Sequence, residues 1–239
     1  MLSQRSGSTI PLASRSFAGD AALDAQGTTR SRLIEAAGHV FAERGFKDAT
    51  IRQICSIAGA NIAAVNYHFG DKEHLYASAL YHAHTTARQR HPMDFAGCGS
   101  SEDRLGVFVR TFVSRLTDPA KPEWHGKLCA REMADPTGAL DGLVERSIRP
   151  DWLARVEICR ELLGEGASME LVQRCAVGVI GQCLVYHHAR PVMERLGGPV
   201  VFTPERIDAI VEQICAYSIS GMRELGGRSD AGSSRRTLA

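Results

Sequence analysis

Apolar residues recur at three- and four-residue intervals from Leu33 onward. Leu33, Ile34, Ala37, Val40 and Phe41 make one stripe, which predicts a helix with one face in a core. It is expected to start near Thr28 or Thr29 and to stop at Gly45, with Phe46 carrying the chain back to the core. The next helix opens with Thr50-Ile51-Arg52-Gln53, a capping box in which Thr50 and Gln53 satisfy each other's backbone. Ile51, Ile54 and Ala58 face inward, and Gly59 permits a sharp turn. A third helix opens at Asn61, a good N-cap, is anchored by Val65 and Phe69, and stops at Gly70. Asp71 caps a fourth, from Lys72 to about Arg90, which Pro92 and the run Gly97 to Ser101 terminate.

The remainder reads as helices with polar breaks. They are expected from about Ser101 to Leu116, Trp124 to Ala134, Leu140 to Leu163, Met169 to Leu196 and Pro204 to Leu225. Thr203 before Pro204 is a strong helix start. No segment alternates as a strand would. The fold class is therefore all-α. A small three-helix head over 28–76 precedes a larger helical body over 77–225. Residues 1–27 show no sustained period and are expected to be a disordered arm, and 226–239 a flexible tail.

Composition narrows the partners. A formal net charge of +1 excludes a chain that coats nucleic acid indiscriminately, so any DNA contact must be local. The seven cysteines are scattered and form no C-x-x-C pair. They read as reduced thiols in the cytoplasm, with Cys175 and Cys183 as small buried residues. Residues 1–27 lack the apolar segment of a secretory signal. The longest apolar stretch, Cys175 to Tyr186, is interrupted by Gln182 and falls well short of the roughly 18 residues a membrane span needs. No membrane partner is expected.

The two short helices with their tight turn have the layout of a helix-turn-helix, whose second helix fits the major groove. Facing away from Val65 and Phe69 are Asn61, Ile62, Ala63, Asn66 and Tyr67. The asparagines can hydrogen-bond base edges or phosphate, and Ile62 and Ala63 suit thymine methyl groups. Thr50, at a helix N-terminus, can hold a phosphate. Arg52 and Lys72 add charge, and Tyr67 and His68 can donate to phosphate oxygens without reading sequence. Eight Lys/Arg stand against five Asp/Glu from Thr28 to His91, a modest local excess. On spacing alone a plain three-helix core with a solvated polar face fits as well.

Residues 29–76 resemble the DNA-binding domain of the TetR family of transcriptional repressors. The resemblance rests on A-A-x-x-x-F-A-E-x-G-F (Ala36 to Phe46), Thr50-Ile51-Arg52-x-Ile54, Ala58-Gly59, and Tyr67-His68-Phe69-Gly70-Asp71-Lys72-Glu73-x-Leu75. Asn66 stands where the family usually has Tyr, and Asn61 where it has Ser or Thr, which leaves the DNA sequence preference open. A weaker resemblance to the effector domain of one subgroup rests on Lys127 to Leu143 and Gly181 to Pro191.

The resemblance implies a homodimer on palindromic double-stranded DNA, released by a small-molecule effector, with no catalysis and no cofactor. The last two helices are then the dimer face. Residues 171–186 are apolar nearly all round, Gly178 and Gly181 allow close approach, and Ile207, Ile210, Val211, Ile214, Tyr217 and Ile219 offer an apolar face. Candidate effector contacts are the aromatic residues Phe108, Phe112, Trp124 and Trp152, with Arg131, Gln182, Tyr186 and His187 as polar groups. A metal is not expected. His187 and His188, or His82 and His84, diverge around a helix and cannot readily share an ion. G-x-S-x-G, phosphate-loop and H-E-x-x-H signatures are missing. A helical adaptor or a metal-sensing regulator is the alternative reading.

Overall fold

The computed structural model describes residues 20–236, with side chains described from 29 to 227. Among the described residues there are helices and no strand. Four helices form the N-terminal part: α1 (Asp20–Asp48), α2 (Ile51–Ala58), α3 (Ile62–Phe69) and α4 (Lys72–Arg90). The body follows with α5 (Ser101–Thr117), α6 (Glu123–Ala134), α7 (Ala139–Leu143), a π-helical turn (Val144–Ile148), α8 (Arg149–Leu163), α9 (Met169–His188), α10 (Arg190–Gly197) and α11 (Pro204–Arg236).

Four boundaries differ from expectation. α1 begins at Asp20 rather than near Thr28, because an apolar stripe marks where a helix is buried, whereas hydrogen bonding can start earlier through Ala21, Ala22 and Leu23. α11 likewise continues past Leu225 to Arg236. Residues 1–19 of the expected arm and 237–239 of the expected tail lie outside the described residues. The expected helix from Leu140 to Leu163 is divided by the π turn. The one from Met169 to Leu196 breaks at Ala189, since Pro191 lacks an N–H and crowds the preceding turn. Gly45, near the end of α1, has φ 77 and ψ 175. This is a left-handed-side conformation that a side chain resists, so the helix turns there as the sequence required.

Two cores hold the molecule. The first collects Leu33, Ala37, Phe41, Ile54, Val65, Leu75 and Leu80 from α1–α4, and takes in Trp124, Leu128 and Leu143 from α6 and α7. The second joins Leu105, Phe108, Ile158, Val172, Val179 and Ile214 from α5, α8, α9 and α11. The head is thus seated on α6. Gly38 makes room for this: a Cβ there would stand 2.3 Å from Cζ3 of Trp124. Arg131 donates to the carbonyls of Ala42 and Glu43 at 3.3 and 3.2 Å, supplying partners to carbonyls that the break at Gly45 would orphan. Between the cores, Asp151 accepts hydrogen bonds from Arg88 and, at 3.0 Å, from Arg115, which clamps α4, α5 and α8 together.

Candidate nucleic-acid interface and body sites

The α2–α3 pair is built as its sequence demands. Thr50 Oγ1 accepts from the Gln53 backbone at 3.3 Å, and Gln53 Oε1 accepts from Thr50 N at 3.1 Å. Gly59 ends α2 at φ 59, ψ 41, the left-handed turn glycine adopts freely. Asn61 Oδ1 accepts from Ala64 N at 2.9 Å. Val65 and Phe69 are buried, so the opposite side of α3 is presented outward.

That outward side carries Asn61, Ile62, Ala63, Asn66 and Tyr67, all exposed; Tyr67 is 72% exposed. Arg52 is exposed on α2, and His68 is half-buried with its ring 5.0 Å from that of Tyr67. Lys72 is more engaged than expected: Nζ donates to the Lys47 carbonyl at 3.2 Å and lies 4.7 Å over the Phe46 ring. It therefore also satisfies a carbonyl at the C-terminal end of α1. Asn61 has a similar double position, since its Oδ1 is committed to the cap while its amide N–H groups remain available.

The body residues expected around an effector divide among three places. Phe108, Phe112 and Trp152 converge: the two phenylalanine rings stack at 6.0 Å, and Trp152 borders the same core. Trp124 and Arg131 serve the seat of the head. The Trp124 indole N–H donates to Glu35 Oε2 at 3.0 Å. Gln182 donates to Ser218 Oγ at 3.1 Å and Tyr186 borders the second core, while His187 packs beside Gly126 of α6. A cleft of about 310 Å³ lies at the head–body seam, lined by Phe46, Tyr76, Ala77, Thr137 and Arg146 among others. None of the eight expected residues lines it.

Sequence reasoning missed Arg155. Its guanidinium, 6% exposed, lies 5.3 Å over Phe108 and 5.2 Å over Trp152. Its Nε has no hydrogen-bond partner, and burial lowers its pKa. The signal was present: Arg155 falls on the stripe of Ile158 and Cys159, a charge in an apolar phase.

On α9, Val172, Ala176, Val179 and Cys183 point inward, while Val177, Gly178, Gly181 and Val185 are exposed along the other side. Beside them α11 exposes Ala209, Ala216, Tyr217 and Ser220, with a hollow of about 150 Å³ between the two helices. Ile210, Val211 and Ile214, expected on a partner-facing surface, are buried in the chain's own core. Tyr217 follows Ile210 by two turns and Ile214 by about one, so it stands at the edge of that buried face, on its open side.

Comparison with known proteins decides the family. Residues 33–79 match the model described as bacterial regulatory proteins, tetR family. Residues 101–222, half of the chain, match the C-terminal domain of the HTH-type transcriptional dual regulator CecR. The chain belongs to the TetR family.

That family is one of transcriptional regulators. The chain is similar to the HTH-type transcriptional repressor NicS of Pseudomonas putida, 38% identical over 129 residues, 51% of this chain and 60% of NicS. It is also similar to CecR of Shigella flexneri, 26% identical over 211 residues, 84% of this chain and 94% of that protein. The chain spans under two thirds of NicS. Among solved structures, a transcriptional regulator from Pseudomonas aeruginosa PAO1 shares the fold, with a TM-score of 0.62 at 22% identity over 82% of this chain and 93% of that one. Among the described residues no helix is long and apolar enough to cross a membrane.

Proposed function

We propose that this regulator is a cytoplasmic repressor that grips palindromic operator DNA as a homodimer and is released by a small-molecule effector. The observation that carries the reading is the bare outer side of α3 on a rigid base. Ile62, Ala63, Asn66 and Tyr67 project away from a core that fixes Val65 and Phe69. A helix so presented fits one major groove, and two-fold symmetry supplies the second half-site about one turn away.

The open side of α9 and α11 supports the dimer. Gly178, Gly181, Ala216 and Ser220 let a second backbone approach, and Val177, Val185 and Tyr217 give it apolar area. For the effector, Arg155 between Phe108 and Trp152 favours a small organic anion with a flat apolar body, its carboxylate taken by the guanidinium. Effector binding shifts the dimer toward a head spacing that mismatches the operator. A coupling of about 1–3 kcal/mol weakens DNA binding about 5–150-fold.

The test is gel retardation of the chain's own upstream region, with sedimentation of the free protein. A dimer that shifts palindromic fragments, and loses them on adding aromatic carboxylates, supports the reading. A chain that stays single at micromolar concentration and ignores palindromic fragments in dilute salt overturns it.

A further inference from the structure

The seam between head and body holds a group of side chains that DNA and effector binding do not use. Glu35 of α1, His82 of α4 and His125 of α6 each offer one ligand atom, and these atoms all lie within 4.8 Å of one another. His82 Nε2 stands 3.3 Å from Glu35 Oε1. The sequence reading dismissed His82 by its neighbour His84; the fold instead pairs it with residues 47 positions before and 43 after.

His125 is the second, independent observation. It is 1% exposed, and neither ring nitrogen has a hydrogen-bond partner. A core histidine held for structure places its N–H on an acceptor, because burying an unpaired polar group is unfavourable. This ring has no such acceptor, and one of its nitrogens lies beside the glutamate–histidine pair.

We propose that Glu35, His82 and His125 bind a divalent transition cation, with Zn²⁺ the best match. Two imidazoles and one carboxylate form the donor set of open zinc sites, with a fourth position left to water. The absence of thiolate among the three argues against a soft monovalent ion. Zinc bonds of about 2.0–2.2 Å set ligands roughly 3.4 Å apart, so small ring rotations close the present group around an ion. Trp124 supports the arrangement. Its indole N–H holds Glu35 Oε2 at 3.0 Å and leaves Oε1 toward His82, the outer-shell bond that orients a ligating carboxylate. The ring also stacks on His82, at 6.2 Å and 15°. Because the ligands come from α1, α4 and α6, the bound cation pins the head to the body.

The full chain, stripped with a chelator and dialysed, is titrated with Co²⁺ followed by its visible spectrum, and with Zn²⁺ by competition against a chromophoric chelator. The expected result is one equivalent per chain, a low-symmetry Co²⁺ spectrum and a rise in melting temperature with Zn²⁺. E35Q and H82Q, at side chains 47% and 40% exposed and thus tolerant of change, should each weaken uptake at least tenfold and abolish the thermal shift. W124F should weaken it about tenfold while the three ligands remain. The proposal is overturned if wild type takes up no stoichiometric metal, or if E35Q and H82Q bind as wild type does. No DNA or effector enters the measurement, so its failure would leave the repressor reading standing.

Discussion

Tyr76 donates its hydroxyl to Glu132 Oε2 at 2.6 Å, a buried hydrogen bond across 56 residues that joins α4 to α6. Glu132 is fully buried, and Thr137 also donates to it, from its backbone at 2.9 Å and its hydroxyl at 3.0 Å. Burial and then the Glu132 carboxylate push the Tyr76 pKa up, so the phenol stays a donor at every physiological pH. Replacing Tyr76 by Phe leaves a buried carboxylate short of one donor. The expected loss is about 1–3 kcal/mol, read as a lower denaturant midpoint with an unchanged slope. A midpoint equal to wild type would mean that the bond contributes nothing.

On the proposed reading, the head residues should separate base reading from anchoring. Asn61→Ser retains a side-chain cap on Ala64 N but shortens the group facing the groove. It should alter base preference over a library of sites while stability stays within about 0.5 kcal/mol. Asn61→Ala should add the loss of the cap, about 1 kcal/mol. Lys72→Ala should weaken binding evenly on all sequences and reduce its salt dependence. Evenly weakened binding by Asn61→Ser, or changed preference by Lys72→Ala, would refute the assignment.

Val177 lies 56% exposed on α9. If two copies meet there, Val177→Glu sets two like charges in a buried interface, and sedimentation at micromolar concentration should show monomers with unchanged helicity. Retention of the dimer would place the two-fold axis elsewhere.

Arg155→Met removes a buried guanidinium without a carboxylate on it. Stability should hold or rise, because a buried guanidinium without a salt bridge is costly and an apolar side chain of similar length fills the space. DNA binding should persist, and release by aromatic carboxylates should be lost. Release at wild-type effector concentration would sink the anion site.

Thiol reactivity should divide the cysteines. Burial pushes the Cys159 and Cys183 thiols up to about 12, so at pH 8 both are overwhelmingly protonated and poor nucleophiles. Both should resist a disulfide reagent in the native state, gain reactivity as pH rises toward 12, and react at once in denaturant. Mass spectrometry after a short exposure at pH 8 checks this. Early labelling of either residue would contradict the packing.

Much of the molecule was readable in the chain because it depends on neighbours a few residues apart. The capping box at Thr50, the Asn61 and Asp71 caps, the turns at Gly45, Gly59 and Gly70, and the inward Val65 and Phe69 are local matters of backbone hydrogen bonding and helical phase. They fix which side of α3 is bare. The sequence also carried other hints, with Arg155 and His125 each a polar residue on a buried helix face. What each polar group meets was decided by tertiary structure alone. Trp124 fills the space over Gly38, Arg131 answers α1 carbonyls, and Glu35, His82 and His125 gather from three helices, contacts set by how helices pack and spanning 40 to 90 positions. Periodicity tells which face of a helix is buried, but it holds no record of what lies on the other side.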